Sequence, residues 1–151
     1  MEINNFFLQK HKNNVAFLLD LDKELFIQDW LCELGYDLYS GNAQSWQIDW
    51  SSGESLNSYD YDYENCEEEV TKMFLNSDLR NEDYFLLDIE YDKPLLKVEG
   101  RVFINYWRDF LGASGFSGML IIGKETNSIL EFTDNDFQII SNIPLFNSCS
   151  K

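Results

Sequence analysis

Residues 24–71, here called the acidic window, constrain this chain more than any other feature, because they contain 12 carboxylates and no Lys, Arg or His. Nine Trp, Tyr and Phe side chains lie in the same window. Disordered acidic segments are poor in aromatic residues, since they cannot bury enough apolar surface to offset the entropy lost on folding. The window is therefore predicted to be folded and to present an acidic surface.

The net charge of the whole chain indicates which classes of molecule it is expected to bind. With 27 acidic and 11 basic residues, the formal net charge is -16. Nucleic-acid binders carry basic patches, and anionic membrane surfaces attract clusters of Lys and Arg. The composition thus disfavours both nucleic acid and membrane as partners and favours a basic protein. It does not predict the oligomeric state.

The length and the cysteines indicate a single intracellular domain. A chain of 151 residues is expected to form one domain over residues 1–151. Cys32, Cys66 and Cys149 lack metal-ligand spacing, and the sequence has one histidine, which argues against a zinc site. We expect no metal and no cofactor. The first residues do not resemble a secretory signal, so we expect a cytoplasmic protein.

Hydrophobic periodicity predicts an α+β domain with a mainly antiparallel sheet and three or four helices. Six to eight strands are expected, and hairpins dominate the second half without repeated strand–helix–strand alternation. The candidate strands are 15–21, 36–39, 46–50, 59–64, 84–91, 95–98, 119–123, 129–133 and 137–143; the helices are 22–34, 65–76 and 101–113, with a fourth, short one before residue 14.

Two helices carry clear terminal signals. Asp22 is expected to cap the first helix and Gly35 to end it. Asn65 is expected to cap the second, whose first turn holds three consecutive glutamates, 67–69. Carboxylates suit the positive end of a helix dipole. A purely structural role is therefore one interpretation of those three acids.

One short motif resembles an enzyme family. The segment FLLDLDKEL, with Asp20 and Asp22 after an apolar run, resembles the first motif of haloacid-dehalogenase phosphohydrolases. The resemblance implies a nucleophilic Asp20, a general acid at Asp22 and magnesium. Lys23 and Glu24 depart from the family pattern. Helix capping by Asp22 is the favoured interpretation, with a small phosphohydrolase as a remaining alternative.

The other groups that could carry chemistry match no established pattern. Asp60-x-Asp62-x-Glu64 lacks the glycine and the final glutamate of a calcium loop. Asp88-x-Glu90 lacks the lysine spacing of nuclease sites. The single histidine, His11, lies in a polar run and is predicted to be exposed to solvent. We therefore predict no catalytic residues and a protein that is not an enzyme.

In size, acidity, cytosolic character and lack of catalytic residues, the chain resembles bacterial immunity proteins of toxin–immunity pairs, including those of contact-dependent growth inhibition. The resemblance is to the profile of the whole chain. It implies a protein that binds and neutralises a cognate toxin domain, often a nuclease, in the cytoplasm. The alternative is an acidic nucleic-acid mimic or adaptor that binds a basic host protein.

The predicted partner-binding residues come from the acidic, aromatic part of the window. Carboxylates there can pair with Lys and Arg of a basic partner, and tyrosine is enriched in interface hot spots. Core packing is expected for most of Trp30, Trp46 and Trp50. The predicted interface residues are Asp49, Glu54, Tyr59, Asp60, Tyr61, Asp62, Tyr63, Glu64, Glu67 and Glu68.

Overall fold

The structure is a computed structural model, and it describes residues 3–38, 48–53, 57–60, 67–90, 92–115, 118–133 and 138–145. Within these residues the strands are β1 (Val15–Phe17), β2 (Asp37–Leu38), β3 (Ile48–Asp49), β4 (Asn57–Asp60), β5 (Tyr84–Asp88), β6 (Leu96–Glu99), β7 (Met119–Gly123), β8 (Ser128–Phe132) and β9 (Gln138–Ser141). The α-helices are α1 (Lys23–Leu34), α2 (Glu67–Leu75) and α3 (Gly100–Ala113), and short 3-10 helices span Phe6–His11, Trp50–Ser52 and Asp78–Asn81.

Seven of these strands form one sheet in the order β1-β6-β5-β7-β8-β9-β4, and every neighbouring pair is antiparallel. β2 and β3 form a separate antiparallel pair. In the sheet, β5 lies between β6 and β7. In the chain, α3 connects β6 to β7. The predicted class, a single α+β domain with a mainly antiparallel sheet, is confirmed.

The sheet is covered on both faces. On one face, side chains such as Ile121 pack with α2, α3 and the N-terminal 3-10 helix. On the other, side chains such as Ile122 pack with α1 and the β2–β3 pair. Successive residues of a strand point to opposite faces, so a strand covered on both sides must be apolar throughout. That is why β7, with the sequence MLIIG, is buried at every position.

Local signals set the ends of α1 as predicted. The Asp22 side chain accepts a hydrogen bond from the Leu25 N–H at 3.1 Å. Leu21 before the cap and Phe26 in the first turns both pack in the α1-side core, an arrangement called a hydrophobic staple. Gly35 ends the helix with φ of 87°, in the left-handed region where a side chain is unfavourable.

Helix α3 is interrupted at Tyr106, whose φ and ψ are -129° and 28°. The preceding residue, Asn105, uses its side-chain amide to donate to the Arg101 carbonyl at 2.9 Å. A side chain that takes up a carbonyl of the helix competes with the backbone ladder and bends the helix. We attribute the kink to this contact.

Several predicted strands are shorter than their apolar runs. β1 ends at Phe17, because residues 19–21 turn towards the cap of α1. Trp50 starts a 3-10 helix capped by Asp49, so it does not end a strand as predicted. The strand predicted over 59–64 begins earlier, at Asn57, and its residues 61–64, like the cap at Asn65, lie outside the described residues.

The two-sided core can be tested with neighbouring residues. Ile121→Ala and Ile122→Ala should each lower the free energy of unfolding by about 2–5 kcal/mol, because each leaves a cavity in a different core. Exposed Gln28→Ala should change it by no more than about 0.5 kcal/mol. Urea unfolding measures all three. A near-neutral Ile122→Ala would mean that the α1 side of the sheet is not sealed.

Candidate interaction surface

The sheet divides the acidic window between two sides of the molecule. α1 and the β2–β3 pair pack on one face through Ile27, Trp30 and Ile48. α2 packs on the opposite face through Val70 and Phe74. The acids of α1 and those of α2 therefore cannot belong to one flat surface, although they are neighbours in the sequence.

The acids of α2 have structural reasons to be where they are. Glu67, Glu68 and Glu69 occupy the first turn, where the helix dipole favours negative charge. Glu67 also pairs with Arg108 of α3 at 2.8 Å, which ties the two helices together. Glu67 and Glu68 are exposed, as a binding role requires. Their positions are nevertheless accounted for by the fold.

Two acids of α1 lack such a reason. Glu24, Asp29 and Glu33 are all exposed, but Glu24 lies in the first turn, where the helix dipole favours a carboxylate. Asp29 and Glu33 are four residues apart, where like charges destabilise a helix. Glu33 also lies in the last turn, which contains no basic residue, and there the dipole disfavours a carboxylate. Uncharged or basic side chains at positions 29 and 33 would make α1 more stable.

The β2–β3 pair extends this surface. Asp37 and Asp49 are directly opposite each other across the two strands, an arrangement that is unfavourable for like charges. Their neighbour Ile48 points into the core, so Asp49 lies on the outward side of β3. We call Glu24, Asp29, Glu33, Asp37 and Asp49 the α1 acidic surface. Of these, the sequence predicted only Asp49 as an interface residue.

The aromatic residues beneath this surface are structural. Trp30 and Trp50 are buried, which confirms the expected core role for both, while Trp46 lies outside the described residues. The Trp50 indole N–H donates to the Glu131 carboxylate at 2.9 Å, and the Tyr36 ring packs edge-on against Trp50 at 5.1 Å. These contacts hold the β2–β3 pair against the sheet.

The remaining predicted residues fall into two groups. Tyr59 is half-buried on β4, and its hydroxyl accepts a hydrogen bond from the Leu145 N–H at 3.3 Å, so it has a structural role. Asp60 ends β4, the strand at one edge of the sheet. Five predicted residues lie outside the described residues: Glu54, Tyr61, Asp62, Tyr63 and Glu64.

The prediction that His11 is exposed was wrong. Its ring is buried against Phe110 of α3, and its Nε2 lies 2.8 Å from Asp109 Oδ2. Lys10 approaches the same oxygen at 3.1 Å. The polar sequence around His11 does not predict this contact, because the partners of His11 lie about a hundred residues further along the chain. The contact fastens the N-terminal 3-10 helix to α3.

Another buried ionic contact lies where β5 ends. Lys23 Nζ, at the start of α1, is 2.9 Å from Asp88 Oδ1 and 3.2 Å from the Glu90 carbonyl oxygen. The Glu90 carboxylate accepts from the Asn5 side chain at 3.0 Å. Burial raises the pKa of Asp88, and the hydrogen bond and charge of Lys23 oppose that shift. Asp88 and Glu90 thus connect elements from both sides of the sheet.

Among the described residues no three His, Cys, Asp or Glu side chains are arranged to hold a metal ion. The aspartates of the phosphohydrolase-like segment are both exposed, and Asp22 is used as the helix cap. His11, Asp22, Asp88 and Glu90 each make a structural contact.

No match to this chain was found among protein-family models, curated proteins or solved structures. In the described part of the chain, no helix is both long and apolar enough to cross a membrane.

Replacing Lys23 tests the buried ion pair. Lys23→Met leaves the Asp88 carboxylate without its cation and should lower the free energy of unfolding by about 3–5 kcal/mol at neutral pH. A carboxyl whose folded-state pKa is raised stabilises the fold most at low pH and loses that contribution as pH rises through the folded pKa. The deficit of the variant should therefore shrink as pH falls and Asp88 takes up a proton.

Urea unfolding at neutral and mildly acidic pH measures this effect. The double variant Lys23→Met/Asp88→Asn is the matched control, since it removes both charges and should recover most of the loss at neutral pH. A deficit of equal size at both pH values would show that the lost lysine stem, rather than the uncompensated carboxylate, is responsible.

Proposed function

We propose that this protein is a stoichiometric inhibitor of the immunity-protein type, which binds a basic toxin domain and blocks it without catalysing a reaction. The observation that carries the proposal is the α1 acidic surface. Within it, the exposed carboxylates of Asp29 and Glu33 repel each other at a spacing of four residues, and Glu33 also opposes the helix dipole, so the fold does not account for these two acids. Binding to a positively charged partner would offset that repulsion.

The physical mechanism is complementarity of charge. A surface of one sign accelerates encounter with a partner of the opposite sign and disfavours wrong partners. Toxins that cleave nucleic acids hold the phosphates of their substrate with Lys and Arg. Carboxylates of the inhibitor can occupy those same positions, so a nuclease is the toxin class that this surface suits best.

The buried core gives such a surface a firm support. Trp30 and Ile27 fix α1 against the sheet, and Lys23 anchors its first turn to Asp88. A preorganised surface loses less conformational entropy when a partner binds. The carboxylates of Asp60, Asp62 and Glu64, predicted from the sequence as interface residues, stay part of the proposal.

The experiment is a pull-down with the tagged full chain from its source cells at low salt, with elution by rising salt. The recovered partner is then purified and its own activity titrated with this protein. A basic partner encoded beside this chain and fully inhibited at equimolar protein would support immunity. A basic host enzyme would favour the nucleic-acid mimic instead. Absence of any stoichiometric partner would contradict both.

Charge reversal locates the interface. Asp29→Lys/Glu33→Lys should weaken binding of the recovered partner by about ten-fold or more at low salt, because it replaces attraction by repulsion. Glu68→Lys/Glu69→Lys is the matched control on α2, with the same change in net charge on the opposite side of the sheet. Isothermal titration calorimetry measures each affinity.

A third pair, Asp62→Lys/Glu64→Lys, tests the segment that the sequence singled out. Equal losses in all three pairs would indicate long-range attraction without a defined interface. A loss confined to the α2 pair would remove α1 from the proposal. Circular dichroism verifies that each variant keeps its fold.

A further inference from the structure

One edge of the seven-stranded sheet presents backbone groups that could pair with another strand. The outermost strand on this side is β1, next to β6, and within the described residues no strand lies on its other side. The Leu18 N–H donates to the Leu95 carbonyl, and the Glu99 N–H donates to the Asn14 carbonyl. β1 is therefore paired with β6 along residues 14–18.

The register shows which groups point outward. In an antiparallel pair, residues bonded to the partner strand alternate with residues that are not. Since residues 14 and 18 are bonded to β6, Ala16 opposite Lys97 is bonded as well. The N–H and C=O groups of Val15 and Phe17 consequently point away from the sheet. Two donors and two acceptors lie along this edge.

The side chains also suit an added strand. Val15 and Phe17 pack against the α2/α3-side core. Both are only half-buried, so part of each side chain is accessible at the edge. β1 contains no proline, no charged residue and no break in its register. Natural edge strands commonly use such features to prevent pairing with another chain. β1 lacks them, although it is short.

The net charge of the molecule favours a basic partner strand over a second copy of this chain. Two copies of this chain, each with a net charge of -16, repel each other, so pairing of β1 with a second copy is disfavoured. Near the strand the charges are mixed, because Asp20 and Asp22 follow β1 while Lys12 precedes it and Lys97 lies opposite Ala16. The attraction that a basic strand meets therefore comes from the net charge of the whole molecule.

We propose that the β1 edge binds an extended basic segment of a partner protein, which adds an eighth strand to the sheet. Backbone hydrogen bonds to Val15 and Phe17 hold the segment, and its alternate apolar side chains cover theirs. This surface is distinct from the α1 acidic surface, and its occupation does not depend on the partner being a toxin.

The test uses the full chain and a synthetic peptide of alternating Lys and Val. Amide hydrogen exchange by NMR should show fast exchange at Val15 and Phe17 and slower exchange at Ala16 and Leu18 without peptide. Saturating peptide should slow exchange at Val15 and Phe17 by about ten-fold or more, because their N–H groups become bonded. Unchanged exchange at these two amides would overturn the proposal.

Two controls separate strand addition from attraction between charges. A peptide with the same sequence but N-methylated at every residue keeps its charge and loses the donors along both edges, so its affinity should fall about ten-fold or more. In the protein, Val15→Pro removes one outward N–H, whereas Val15→Ala retains it. Weaker peptide binding by the first variant alone is expected.

Equal binding of both peptides would show that attraction by the acidic surface is sufficient, and would contradict strand addition. Exchange that slows at Val15 and Phe17 with rising protein concentration, without peptide, would identify a second copy as the occupant and overturn the basic partner. Neither result bears on the charge-reversal variants of α1, so failure here is distinguishable from failure of the proposed inhibitor function.

Discussion

Burial of the central strands on both faces is the constraint on which the rest of this structure depends. Antiparallel sheets often keep one face in water, but β7 has no exposed position. Such a strand requires cover on each side, and the chain supplies α2 and α3 on one and α1 with the β2–β3 pair on the other. The positions of all three helices follow from this requirement.

A sheet sealed on both sides leaves polar groups near its strand ends without water, so they must find partners within the protein. Asp88 at the end of β5 has Lys23. Glu82, just before β5, is buried and accepts from the backbone N–H groups of Glu125 and Thr126 at 3.2 and 2.6 Å, which fixes the β7–β8 turn. Glu82 and Asp88, the buried carboxylates among the described residues, are therefore structural ties between elements.

The same architecture explains how the acidic residues can act. The sheet and its two cores stand between α1 and α2, so a partner that contacts one of these helices directly approaches from one side of the molecule. Charge on the far side still contributes to the long-range field that attracts a basic partner, until salt screens it. Direct pairing and general attraction are thus separable by position, and the strand addition proposed for the β1 edge would be a third, backbone-based mode of contact.

Much of the secondary structure was predictable from the sequence, because its signals are local. The cap at Asp22, the stop at Gly35 and the full length of β7 follow from neighbouring residues, as do the acidic charge and the α+β class. Strand ends were less predictable, since apolar residues also fill turns that pack on a core, as at residues 18–21.

Only the tertiary structure decided which groups meet. The docking of His11 on Asp109 and the pairing of Lys23 with Asp88 join residues 98 and 65 positions apart, and no local pattern specifies them. The candidate site shifted for the same reason. Sequence proximity placed Asp49 and Glu67 in one interface, whereas the fold placed them on opposite sides of a sheet, with Asp49 on the same side as the carboxylates of α1. The sequence by itself determined the charge and the elements, because these depend on composition and local pattern; the geometry of the surface depended on how the elements pack.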